Sequence, residues 1–314
     1  MLTQENGYKM NNSYKLTLGP CLFNWKVNDW QDFYYKIADE SPIDEVYLGE
    51  VVCYKRYPFF EVAFDNVVKR LIAGGKKVHF SSFSLILSDL EMNTCKKLIT
   101  KTQDETLIEV NDVGLLGLLK DKQYIVGPTV NVYNEGTLKT LESQGAKRFC
   151  FPYEIDKTSL RIMSEASNKD TEKEIFAFGR MPLAIAARCY HARIHHTSKD
   201  DCKYVCEKDY NGKAISTLVD ENFLTVNGTQ TMSYAYNNLI QEIPELLDMG
   251  INIFRISPHD MDMLKIINLF KDVLDKKIEP KEAFTQMLPL VPENAPFSNG
   301  FFHGVEGRNY EKFE

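Results

Sequence analysis

The chain has 314 residues, 44% apolar and 26% charged, with a formal net charge of −7. That length holds one large domain or two modest ones with a substantial core. The acidic balance excludes a molecule that binds nucleic acid through overall positive charge.

The first twenty residues, MLTQENGYKMNNSYKLTLGP, lack the charged-then-apolar pattern of a signal peptide, and no apolar run is long enough to span a bilayer. Met10 stands just before the first strand-like run, so residues 1–9 read as a flexible extension. A cytoplasmic protein is expected. Its seven cysteines then read as thiols or metal ligands rather than a disulfide framework.

From there β-like and helical runs alternate. KLTLGP (15–20) predicts a strand and DWQDFYYKIADE a helix; EVYLGE (45–50) a strand and FFEVAFDNVVKRLIAGG a helix. KKVHFSSF is followed by a helix through SDLEMNTCKKLITKTQ. TLIEV, QYIVGP, KRFCFP, EIFAFG and INIFRIS supply further strands, with helices through TLKTLESQG and TMSYAYNNLIQEIPELLDMG. Gly75, Gly145 and Gly250 each close a helix just before a strand, where a left-handed residue is wanted. About eight such units predict an α/β fold, a (β/α)8 TIM-barrel-like domain over 10–275. A doubly wound sheet is the competitor, but no GxGxxG follows the first strand. A cysteine-bearing insertion, about 188–225, interrupts the alternation, and 276–314 reads as an irregular C-terminal tail packed on the barrel.

Cys189, Cys202 and Cys206 lie within eighteen residues, in RCYHARIHHTSKDDCKYVC, and Cys53 lies far upstream in YLGEVVCYKR. Loops after the strand ends build the active face of a barrel, and Cys53 and Cys189 both follow strands there. One helical turn through CKYVC would aim Cys202 and Cys206 the same way. Four thiolates suit an iron–sulfur cluster or a structural zinc. No CxxC knuckle of the usual zinc type occurs. A radical-SAM motif would need a cysteine where Asp209 stands. Cys21, Cys95 and Cys150 fit ordinary buried thiols.

YLGEVVCYKR, GRMPLAIAARCYHAR, KDDCKYVC, NGTQTMS and FRISP together resemble the collagenase-like peptidase (U32-type) superfamily, in its branch for oxygen-independent ubiquinone biosynthesis. The resemblance runs from LGP at 18–20 to NGFFHG at 299–304. It implies an oxygen-sensitive [4Fe–4S] cluster on Cys53, Cys189, Cys202 and Cys206. It also implies a heterodimer with a UbiU-like paralogue, forming an Fe–S-dependent hydroxylase complex with prephenate as oxygen donor. A lipid-binding accessory protein carrying the quinone precursor is a further expected partner. Relatives often read PLAYSARC where this chain has PLAIAARC; Ile185 and Ala186 would alter hydrogen bonding near the cluster rather than ligation.

Barrel-mouth reasoning adds a candidate substrate pocket of Glu50, Arg56, Glu109, Asn131, Glu154, Arg188 and Arg193. His195 and His196 read as a solvated charged loop, and Thr229, Gln230 and Thr231 as a turn capping a helix. Two other functions remain open: hydroxylation of RNA bases, as in related superfamily members, and a zinc-stabilised scaffold without catalysis. Proteolysis is disfavoured, because neither GxSxG nor HExxH occurs.

Overall fold

The computed structural model describes residues 14–102, 105–292 and 295–312, so the expected extension at 1–9 lies outside the described residues. Eight parallel strands close into a barrel: β1 (Lys15–Leu18), β2 (Glu45–Leu48), β3 (Lys77–Ser81), β4 (Ile108–Val110), β5 (Tyr124–Val126), β6 (Ala146–Cys150), β7 (Glu172–Ile185) and β11 (Ile253–Ile256). Closure is made by β11, which pairs with β1 on one side and β7 on the other. These are the eight strands the sequence predicts. Between β7 and β11 come β8 (Lys213–Ser216), β9 (Asn222–Asn227) and β10 (Gln230–Asn238).

Helices cover the barrel where apolar residues recur with helical spacing. α1 (Val27–Glu40) buries Trp30, Tyr34, Ile37 and Ala38. α2 (Tyr57–Ala73) begins with proline in its first turn. α3 (Asp89–Thr100) is capped by Ser88, which accepts from the Glu91 amide, while Glu91 accepts from the Leu87 amide. α4 (Glu135–Ser143), α5 (Lys157–Ala166) and α8 (Met263–Leu274) are capped by Asn134, Asp156 and Asp262. Gly75, Gly145 and Gly250 take positive φ, as expected.

Two expectations are corrected. TMSYAYNNLIQEIPELLDMG is a helix only at α7 (Ile243–Asp248); its first half is strand β10. β10 lies between β7 and β9 and is buried on both faces, so its apolar residues do not alternate and imitate a helical pattern. The strand predicted at EIFAFG runs on through RMPLAI. β7 runs fourteen residues, and its second half leaves the barrel to pair antiparallel with β10. The β10–β9–β8 sheet therefore grows from the barrel's C-terminal mouth. The tail contributes α9 (Pro280–Met287), β12 (Phe297–Ser298) beside β10, and α10 (Gly300–His303).

The barrel core is ionic, unlike the branched aliphatic layers usual in such barrels. Near its N-terminal end Arg148 pairs with Glu45 (2.6 Å) and Glu172 (2.6 Å). The Leu107 amide donates to His79 Nδ1, so the Nε2 proton is the one given to Glu45 (3.0 Å). Higher up, Arg255 bridges Glu109 (2.6 Å) and Glu174 (2.8 Å) and lies 4.1 Å from the Tyr47 ring centroid.

Burial alone pushes Glu45 and Glu174 up, but His79 and Arg148 at the first, and Arg255 and Arg148 at the second, hold both below the usual carboxylate range. A depressed folded-state pKa adds stability above the unfolded value of about 4.3, and that stability is lost as pH falls. Tm should therefore drop between about pH 6 and pH 3, and drop less steeply in Glu45→Gln. An equal slope in that variant would refute the assignment.

Candidate metal centre

Cys53 comes five residues after β2. Gly49 brings the chain against β3 there, since a Cβ on it would lie 2.1 Å from the Ser81 carbonyl oxygen. The buried Glu50 carboxylate then accepts from the amides of Val52 (2.8 Å) and Cys53 (2.9 Å), which shapes the loop. Cys189 follows β7 and caps α6 (Tyr190–Ile194), its Sγ accepting from the Ala192 amide at 3.4 Å.

Cys202 and Cys206 are not on one helical turn, contrary to the sequence reading. Lys203 and Tyr204 take left-handed backbone (φ 48° and 53°), and a 3-10 turn over Val205–Lys208 follows. Local helical spacing gives way to anchoring: Tyr204 packs edge-on against Phe59 of α2 (4.7 Å), and Lys55 donates to the Lys199 carbonyl (2.7 Å).

The β9–β10 turn joins these segments. NGTQTMS is a hairpin, not a helix start. Thr229 Oγ1 donates to the Val52 carbonyl (3.0 Å), and the Gly228 carbonyl accepts from the His191 amide (3.4 Å). A Cβ at Gly228 would lie 2.6 Å from Arg56 Nη2, so only glycine lets the turn sit on that arginine.

All four cysteines thus line one pocket with Lys55, Arg56, His191, Lys199, Tyr204, Val205 and Gly228. Arg56 is 1% exposed and held by the Leu22 carbonyl (2.8 Å) and Asn227 Oδ1 (2.9 Å), while its buried Nε has no partner. Asn24 Nδ2 donates to Cys206 Sγ at 3.4 Å. Burial pushes the Cys53 and Cys189 thiols up; Arg56 opposes this, and at Cys189 the sulfurs of Cys206 and Cys202 add to it. Burial would lower Arg56, but Cys206, Glu50 and Cys53 raise it above its ordinary value.

The donor set fits a soft, cationic centre. Four cysteines line one pocket, two of their sulfurs accept N–H donors, and a buried guanidinium lies beside them. Among the described residues, no three of these sulfurs belong to a set of ligand atoms all within 4.8 Å of one another. A single tetrahedral zinc, at Zn–S of about 2.3 Å, holds its sulfurs about 3.8 Å apart.

The other sequence candidates separate. Arg56 stands in the cysteine pocket and Glu50 beside it. Glu109 is buried at the barrel mouth, bonded to Arg255, Ser81 (2.6 Å) and Asn111 (3.2 Å). Asn131 and Glu154 share an open groove of about 290 Å³ with Tyr133 and residues of β7. Arg188 and Arg193 are exposed, the latter 5.9 Å from the Tyr190 ring centroid. The substrate-pocket residues are therefore not brought together in one place.

Sequence reasoning missed Asn24, Asn227 and Gly228, whose spacing carries no signal. It also missed the grouping of His191 and His195 with Asp209; the HxxxH spacing was there to be read.

Cys21, Cys95 and Cys150 are buried elsewhere in the core. No helix among the described residues is long and apolar enough to cross a membrane. The model of peptidase family U32 matches residues 29–312. No solved structure matches the chain.

Proposed function

We propose that this chain, which belongs to peptidase family U32, holds a [4Fe–4S] cluster on Cys53, Cys189, Cys202 and Cys206 and serves oxygen-independent hydroxylation of the ubiquinone-precursor ring. The observation that carries the cluster is the meeting of Cys53 with the three cysteines of 189–206 in one pocket with a buried arginine. No three of the sulfurs fall in one tight set among the described residues, which favours a cluster, whose ligands bond separate irons, over one zinc ion. The ring chemistry rests on the sequence resemblance to the ubiquinone branch. The role is UbiV-like: a companion to a UbiU-like paralogue in a heterodimer, with prephenate as oxygen donor and a lipid-binding protein presenting the precursor.

The bound cluster supplies one-electron redox chemistry. This chain's own residues prepare the site. Arg56 balances thiolate charge. Asn24 and the Ala192 amide donate to sulfur and so tune the potential. The β9–β10 turn lines the pocket at Gly228.

Protein purified without air should carry about four iron and four sulfide per chain. Deleting the gene should abolish quinone made without air and spare aerobic synthesis. Stoichiometric zinc without iron would overturn the cluster, and unchanged anaerobic quinone would overturn the biosynthetic role.

A further inference from the structure

We propose that His191, His195 and Asp209 form a second metal site, for a first-row divalent cation such as zinc or ferrous iron, beside the cysteine pocket. His191 lies in α6 and His195 caps it, four residues on, so both rings project from one side. The rings are nearly parallel, at 9°, with centroids 5.6 Å apart. Asp209 arrives from the end of the 3-10 turn that carries Cys206, and its Oδ2 lies 2.9 Å from His191 Nε2. One ligand atom from each residue lies within 4.8 Å of the others.

A second observation points to a ligand. His191 Nδ1 and His195 Nε2 are both buried and without a hydrogen-bond partner. His191 is 0% exposed, so solvent does not relieve its unpaired nitrogen. A buried histidine satisfied by an aspartate would account for His191 Nε2. It leaves His195 Nε2 and the ring alignment unexplained, whereas a cation that takes one nitrogen of each imidazole beside Asp209 accounts for both.

Two imidazoles and one carboxylate select the metal class. The set suits zinc or ferrous iron and leaves coordination positions open; calcium and magnesium prefer oxygen alone. Lys213 Nζ stands 3.9 Å from Asp209 Oδ1, on a side chain 48% exposed that can swing clear. Ligation would tie α6, which follows Cys189, to the turn that holds Cys206. The site uses no thiol, so it stands or falls independently of the cluster.

The test uses the full chain, purified without air, exposed to zinc alone and desalted. Metal content and zinc K-edge X-ray absorption are then read, an edge to which iron is silent. About one zinc per chain is expected, with nitrogen and oxygen neighbours at ~2.0–2.1 Å rather than sulfur at ~2.3 Å. His195→Ala and Asp209→Asn should each weaken uptake at least about tenfold with circular dichroism unchanged. His196→Asn, which suits the left-handed backbone there (φ 56°), should keep it. No retained zinc, a sulfur shell, or equal uptake in folded His195→Ala and Asp209→Asn would overturn the site.

Discussion

Replacing Cys206 by alanine should strip the protein of iron and sulfide, from about four of each per chain to near zero, and bleach its visible absorption. The same loss is expected for Cys53→Ala, Cys189→Ala and Cys202→Ala, because all four thiols line the one pocket and no other cysteine does. Cys206 makes the sharpest case. Its sulfur accepts from Asn24, and its charge is among those that raise Arg56. Removing it leaves a fully buried guanidinium facing three ligands. Cys95→Ala is the control. That thiol is 0% exposed inside α3, pushed by burial up to about 11, and lines no part of the pocket. It should keep its iron. Full iron in any one of the four ligand variants would refute the assignment.

Arg255→Ala should be the most destabilising substitution in the barrel. The guanidinium is 2% exposed and joins Glu109 to Glu174. Glu174 also accepts from Tyr47 (2.7 Å) and from Thr17, so β1, β2, β4, β7 and β11 all meet at this one cation. Removing one partner of a buried ion pair leaves uncompensated charge and costs about 3–5 kcal/mol. For a chain of this size that lowers Tm by roughly 5–15 °C. The exposed pair Arg70–Asp39 is as short, at 2.6 Å, but lies in water, and Arg70→Ala should change Tm little. Thermal unfolding of the two variants side by side separates buried from exposed electrostatics. Equal shifts would mean the barrel interior is hydrated.

The resemblance to a cysteine-bearing superfamily and the barrel are both legible in the residues themselves, and for a local reason. Seven of the eight strands are short, and most are rich in β-formers and bounded by a turn signal or a capped helix, so neighbouring residues announce them. The positions of Cys53 and Cys189 beyond strand ends follow from that pattern. CKYVC misleads because its spacing is helical, whereas its backbone is set by tertiary anchors at Phe59 and Lys199. β10 misleads because a strand buried on both faces loses its alternation.

What the sequence determined by itself was the eight barrel strands and the four cysteines proposed as ligands, since both are written in residue type and short spacing. Only the tertiary structure decided that Arg56 joins the cysteines while Arg188 and Arg193 face solvent, that charged side chains fill the barrel, and that His191, His195 and Asp209 meet. Those outcomes depend on contacts between residues tens to hundreds of positions apart. They are selected by burial and charge compensation across the closed barrel, which no local pattern encodes.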